Sequence, residues 1–334
     1  MLHPERLLNE LSEVWASLGK QANGESSGVL RACSMTFVVL IDNPDDAAAI
    51  GQTLAELMPE HPSRAIVVRL TDGPEPALTG RAFAQCWRPP GRKEQICSEQ
   101  IEIVTANRQM QLEGVARVIL GLTVPDLPVV LWARCALLLQ SPAFAPVVAL
   151  ASKVIMDTAG ASDASAALKA IDEAQIRRGS AMGDLAWTRL TPWREGIAGI
   201  FEDPAYLGRI GSIADCDIGW NGANLPTAAC YMAGWLSLCL RRAGGQGIRL
   251  VREGSAGPSV SRVGLRGPGV DIVSRLTDES TLEVHTEGLA TRLAFPQASD
   301  YRLLREELAI LARDPIFCET LSLAHRFSTG AARP

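Results

Sequence analysis

The sequence predicts an α/β fold in which a Rossmann-like, mostly parallel sheet domain is followed by an α+β domain with an antiparallel meander. Three observations carry this expectation. Strand-like runs at 31–42, ending in Phe, Val, Val, Leu and Ile, and at 64–70 (RAIVVRL) flank the helix-like segment NPDDAAAIGQTLAELM. That is the order of a right-handed βαβ unit. Beyond about residue 205 the texture changes to glycine-broken stretches in which apolar and polar residues alternate, as in Leu282 and Val284 against Glu283 and His285. Apolar residues make up 47% of the 334-residue chain, enough to fill two cores. The expected organisation is a Rossmann-like domain over 1–180, a helical connector over 181–204 and an α+β domain over 205–334.

Leu7, Leu8, Leu11, Val14, Trp15 and Leu18 recur at helical spacing over 4–18, and the polar stretch KQANGESSG ends that helix. The strand at 31–42 reads as buried on both faces, and the helix after it starts behind an Asn-Pro with acids at its positive end. Strands at 81–87 and 95–106 are joined by a tight basic loop around RPPGRK, which predicts antiparallel neighbours. A helix at 108–122, a strand at 127–133, a short helix at 144–151, a strand at 153–159 and a helix from SDASAALKAIDEAQIRR close the first half. In the second half 225–242 reads as a long apolar helix. It is followed by the strand segments GIRLVREG, SRVGLRG, VDIVSRLT, TLEVHTEG and ATRLAFP, and by two helices within YRLLREELAILAR and PIFCETLSLAHRF.

Charge and composition exclude several functions. With net charge −5 and scattered Lys and Arg, no basic stripe offers a phosphate-neutralising surface, so nucleic acid is not an expected partner. The start of the chain mixes acids with leucines, unlike a signal peptide, and no apolar run is long enough to span a bilayer. The expected location is cytoplasmic, with no membrane partner. The eight cysteines include no CxxC pair and lie away from the four histidines, which fits neither a zinc site nor a small-scaffold disulfide framework. Most sit in apolar surroundings and read as small buried hydrophobes. Cys86 and Cys97 are the exceptions: they flank WRPPGRKEQI, whose cations would lower a thiol pKa, and are candidate redox residues.

Catalytic signatures are missing. There is no Walker P-loop, and no GxGxxG follows a strand, so neither metal nor cofactor is expected. GLRGPG (264–269) reads as a hairpin turn. GESSG (24–28) matches GxSxG formally, yet it joins a helix to a strand through polar residues, the reverse of a nucleophile elbow. His3, His61, His285 and His325 read as surface residues. Asp42 and Asp157 fall at strand ends, where an α/β sheet can hold a ligand, and Arg134 could hold an anion there.

DLAWTRLTPWREGIAGIFEDP (184–204) packs two tryptophans, two arginines and four acids into one stretch. Asp184 is placed to cap a first helical turn, and Thr191 to cap a second that begins at Pro192. Trp187, Arg189, Trp193 and Arg194 are candidate partner-binding residues, since interface cores favour Trp and Arg. The alternative reading makes both tryptophans core residues that clamp the connector.

Together with this stretch, ICSEQIEI (96–103), VPDLPVVLW (124–132) and SKVIMDTAG (152–160) resemble, in the same order, the signature segments of the OpcA family of glucose-6-phosphate dehydrogenase assembly proteins. The resemblance spans roughly 30–320. It implies a non-catalytic subunit that binds glucose-6-phosphate dehydrogenase and promotes its assembly and activity, serving the oxidative pentose phosphate pathway. The family's histidine-cysteine pair ahead of CSE is Gln85-Cys86 here, and of its aromatic pair only Trp132 remains. A sugar-phosphate-binding protein or enzyme using the Rossmann-like domain is the alternative.

Overall fold

The structure is a computed structural model that describes residues 2–22, 29–43, 46–73, 77–106, 108–135, 137–178, 180–244 and 247–330. GESSG lies outside the described residues. The chain forms two compact units, Met1–Met156 with Arg178–Met182, and Asp157–Arg177 with Gly183–Pro334. Asp157 and the connector stretch therefore belong to the second unit. Among the described residues no helix is long and apolar enough to cross a membrane.

The first unit opens with α1 (Pro4–Ala22), β1 (Val29–Arg31), β2 (Met35–Ile41), α2 (Asp46–Leu57) and β3 (Ser63–Leu70). The expected strand at 31–42 is thus divided. Ser34 turns its N–H and hydroxyl onto the Pro62 carbonyl, at 2.7 and 2.8 Å, and separates β1, which pairs with β5, from Met35–Ile41, which pair with β3 and β6. All seven residues of β2 are buried, as a central parallel strand covered on both faces requires. Next come β4 (Leu78–Trp87), β5 (Gln95–Thr105), α3 (Arg108–Leu122), β6 (Val129–Ala133), α4 (Leu137–Gln140), α5 (Ala145–Leu150) and β7 (Lys153–Met156). After α6 (Ala164–Arg178) the sheet gains β8 (Ala181–Asp184), a strand too short to register in the sequence.

The strand order is β1-β5-β3-β2-β6-β7-β8, with β4 added to β5. β1, β3, β2, β6 and β7 join through parallel pairings, and the β4–β5 hairpin is antiparallel as expected. Its loop turns at Gly91, where φ is +77° and a side chain would be strained.

Glu99 of β5 is the polar anchor of this unit, at 1% exposure. It pairs with Arg64 of β3 and Arg31 of β1, each at 2.6 Å, and accepts the Trp15 indole N–H at 2.8 Å. Arg64 in turn donates to the Leu122 carbonyl at the end of α3. A buried carboxylate is tolerable only with such partners.

The second unit continues with α7 (Leu185–Thr188), α8 (Thr191–Ile200), α9 (Pro204–Leu207), β9 (Asp215–Asn221), α10 (Thr227–Ala243) and β10 (Ile248–Gly254). Then follow β11 (Arg262–Gly267), β12 (Val270–Asp278), β13 (Thr281–Thr286), β14 (Leu289–Ala294), α11 (Asp300–Ala309) and α12 (Pro315–Ser328). Strand order is β10-β9-β11-β12-β13-β14. The meander expectation holds for β11 to β14, which pair antiparallel in sequence, with the β11–β12 turn at GLRGPG. It omits β9, the strand that pairs antiparallel with β11 and parallel with β10, so β9-α10-β10 is a second βαβ unit. α10 is buried nearly throughout, ends at left-handed Gly244 and lies close on α12: a Cβ at Gly234 would stand 2.7 Å from the Thr320 carbonyl oxygen. Trp187, Tyr231 and Phe317 form an aromatic cluster with ring centroids 6.0–6.2 Å apart.

Candidate functional site

The polar centre of the second unit is built where two of the family-like segments meet. Asp184, fully buried, ends β8 and caps α7 by accepting the Ala186 N–H at 3.0 Å, as its position predicts. The same oxygen, Oδ1, accepts the Thr158 N–H at 3.0 Å. Oδ2 accepts the Thr158 hydroxyl at 2.6 Å and the Tyr231 phenol at 2.8 Å. Burial pushes the Asp184 carboxyl up to about 6, against the opposing pull of these hydrogen bonds. Four donors and no ion pair among the described residues make this carboxylate an anchor between segments rather than an open base.

One step out, Asp157 and Arg189 form a bidentate ion pair at 2.7 and 2.8 Å. The predicted ligand acid and the predicted partner-binding arginine are thus each other's partners, and both carboxylate oxygens are engaged. Arg194 stacks on Trp187, with its guanidinium carbon 3.6 Å from a ring centroid, and donates to the Thr191 hydroxyl at 2.7 Å. Its Nε is buried without a hydrogen-bond partner among the described residues, and burial pushes its pKa down. Thr191 does not cap α8. It is the first residue of that helix, with Leu190 at the cap position, and its hydroxyl instead donates to Glu306 at 2.6 Å. Trp193 packs edge-on against Phe295. Both Trp187 and Trp193 are buried among residues of their own unit, so of the four candidate partner residues only the two arginines keep solvent access.

In the first unit Asp42 and Arg134 follow the carboxyl ends of the adjacent strands β2 and β6. Arg134 is held by Asp46 at 3.0 Å and lies 5.7 Å from the Trp132 ring, so the acid at the start of α2 takes up the charge proposed for an anion. Asp157 belongs to the other unit. Cys86 and Cys97, the candidate redox residues, stand opposite each other in the β4–β5 register and form a disulfide, with Cα atoms 4.0 Å apart. Neither sulfur is a thiolate in this state, and the basic loop closes the hairpin that holds them. Burial pushes the Cys216 and Cys230 thiols up to about 12, in keeping with small buried hydrophobes. His285 is exposed beside Glu283, and His325 lies 3.7 Å from Asp172.

Sequence reasoning missed Thr158, Tyr231 and the Glu99 cluster. Tyr231 is the one phenol in the largely apolar first turns of α10, and Glu99 is a charge in a largely buried strand; such misfits are the available signal.

Comparison with known proteins agrees with this segment order. Residues 55–173 match the family described as glucose-6-phosphate dehydrogenase subunit N-terminal domain, and residues 180–321 match its C-terminal domain. The OxPP cycle protein OpcA of Synechocystis is 26% identical over 199 residues, covering 58% of this chain and 40% of that protein. Its namesake from Nostoc punctiforme is 25% identical over 186 residues, covering 54% and 38%. The chain spans about two fifths of the length of these curated relatives. Among solved structures, Gal80p from Kluyveromyces lactis aligns with a TM-score of 0.48 at 10% identity, over 90% of this chain and 92% of that one. A Gfo/Idh/MocA family oxidoreductase from Vibrio cholerae aligns with a TM-score of 0.45 at 11% identity, over 89% and 98%. With both domain profiles matched in sequence, the chain belongs to the OpcA family of glucose-6-phosphate dehydrogenase subunits.

Proposed function

We propose that the chain is a non-catalytic assembly and activating subunit of glucose-6-phosphate dehydrogenase, acting in the cytoplasm in support of the oxidative pentose phosphate pathway. The observation that carries this reading is the match to both domains of the dehydrogenase-subunit family. Side-chain chemistry supports it. Three acids of the family-like segments engage their own unit: Glu99 holds two arginines, Asp157 holds Arg189, and Asp184 accepts four hydrogen bonds. Carboxylates tied in this way are not free to move protons on a substrate. An activator needs only to bind one assembly or conformational state of the enzyme better than another.

In this reading the exposed edges of Arg189 and Arg194, with the flanking 184–204 surface, face the dehydrogenase, while Trp187 and Trp193 support them from below. In this reading nucleic acid is not among the partners, since the net charge is −5 and the scattered Lys and Arg form no basic stripe. Copurification with the dehydrogenase, and its maximal rate and KM measured with and without the full chain, test the proposal. Association together with a raised rate or lowered KM is expected; neither one appearing defeats the reading. Turnover of a sugar phosphate by the chain alone would instead establish an enzyme.

A further inference from the structure

The edge of a sheet leaves a row of backbone N–H and C=O groups able to pair with another strand, and folded proteins commonly blunt such edges with charges, prolines or bulges. In the sheet of the second unit the two edges are β10 and β14. β10 is blunted: Arg249, Arg252 and Glu253 lie along it, and its register shifts between Arg252 and Gly254. β14, LATRLA, pairs with β13 without a shift and holds no proline. Its one charge, Arg292, is neutralised by Glu283 of β13 at 2.7 Å. β14 is thus a regular edge with little net charge.

The ladder decides which backbone groups of β14 are free. Phe295, one step beyond the strand, donates its N–H to the Ser280 carbonyl at 2.6 Å, and this bond continues the β13–β14 register. Hydrogen-bonded pairs alternate along an antiparallel ladder. Leu293, Thr291 and Leu289 therefore turn their N–H and C=O groups toward β13. Ala290, Arg292 and Ala294 turn theirs outward, where no strand pairs with them among the described residues.

The side chains show an incomplete cover. Leu293, Thr291 and Leu289 stand opposite Leu282, Val284 and Thr286, so they share the face on which Leu282 and Val284 are buried. α8 covers one end of that face: a Cβ at Gly196 would stand 3.0 Å from Leu282 and 3.1 Å from Leu293. Leu289, at the other end of β14, is 65% exposed.

We propose that β14 pairs antiparallel with β14 of a second copy of this chain, about a two-fold axis through Thr291. Outward residues must meet outward residues, so the axis passes through a residue and not between two. An axis through Arg292 would set two arginines directly opposite each other, which destabilises a sheet. An axis through Ala290 would leave fewer strand residues paired. Through Thr291, Ala290 of each copy exchanges backbone hydrogen bonds with Arg292 of the other, and Leu289 of each copy meets Leu293 of the other. The exposed leucine is then covered on the side where its own sheet is apolar. The pairing does not rest on the dehydrogenase reading.

Sedimentation velocity of the full chain over a concentration series tests it, and a monomer–dimer equilibrium is expected. The Ala290 N–H makes no bond to β13, so Ala290→Pro removes an intermolecular bond without costing an internal one. Leu289→Lys changes an exposed side chain and places a charge against Leu293 of the other copy. Both variants should be monomeric at concentrations where the natural chain is dimeric, and unchanged thermal midpoints would show that they are folded. Thr291→Cys should cross-link to its own copy under mild oxidation, because non-hydrogen-bonded pairs bring Cα atoms to about 4.5 Å. Ala290→Cys should not, since its copies stand two residues apart along the strands, beyond the ~7 Å that a disulfide spans. A chain that is monomeric throughout, or a dimer that survives both Ala290→Pro and Leu289→Lys, overturns the proposal. A monomeric chain whose capture of the dehydrogenase is lost in Ala290→Pro would also overturn it and assign the edge to that enzyme.

Discussion

Arg189 and Asp157 are joined by a bidentate ion pair, with Nη1 and Nη2 each on one carboxylate oxygen at 2.7 and 2.8 Å. The pair links the start of the connector stretch to the segment that follows β7, both within the second unit. Such paired N–H···O bonds are directional as well as strong, so the contact sets orientation in addition to adding energy.

A double-mutant cycle with Arg189→Met and Asp157→Asn measures that contribution. The expected coupling is about 1–2 kcal/mol in urea denaturation, because the pair is shielded from much of the solvent. Zero coupling would mean that the arginine is energetically free of the fold and available to a partner.

Asp184 predicts a pH dependence of opposite sign to an ordinary salt-bridged acid. Its folded pKa, about 6, lies above the value near 3.9 of an unfolded aspartate. Between those values the folded state binds more protons, so this group favours folding at acid pH and loses that contribution as pH rises through about 6. Relative to Asp184→Asn, which does not titrate, the natural chain should gain stability as pH falls from about 7 to about 5. Denaturation midpoints at both pH values check this; a constant difference would refute the raised pKa.

Glu99→Ala should destabilise the first unit by about 3–5 kcal/mol, since it strands the buried Arg64 guanidinium without its counter-charge. Glu99→Gln keeps an acceptor for the Trp15 N–H and should cost less. Thermal or urea unfolding of the two variants gives the order, and equal losses would discount the ion pair.

Reduction of Cys86–Cys97 should lower stability by about 3 kcal/mol, the loop-closure value for residues separated by 11 positions. Cys86→Ser/Cys97→Ser should show the same loss and no further response to reductant. Alkylation of the unreduced, unfolded chain should modify six cysteines, the number left free by this disulfide. Modification of all eight would show that the bond is not formed.

The elements readable in the sequence are those whose causes lie within a few residues of one another. β2 is a run of apolar residues, α3 ends where its periodicity ends, Asp184 reads as a cap because a helical turn begins directly after it, and Pro192 marks the start of α8. Local reading failed where strand character was masked. β9 carries Asp215, Asp217 and Gly219 on one face, which hides its buried Cys216 and Ile218. It also failed at Thr191, where a cap signal lost to Glu306, more than a hundred residues away.

The sequence by itself determined the two-part α/β architecture, the β4–β5 hairpin and the family segments, because periodicity, turns and caps are short-range. Only the tertiary structure decided what those segments' side chains do. It set Asp157 on Arg189, Thr158 and Tyr231 on Asp184, Arg194 on Trp187 and Cys86 on Cys97. Each of these pairings depends on strand register or helix packing between separate elements, and no local preference of either partner specifies it.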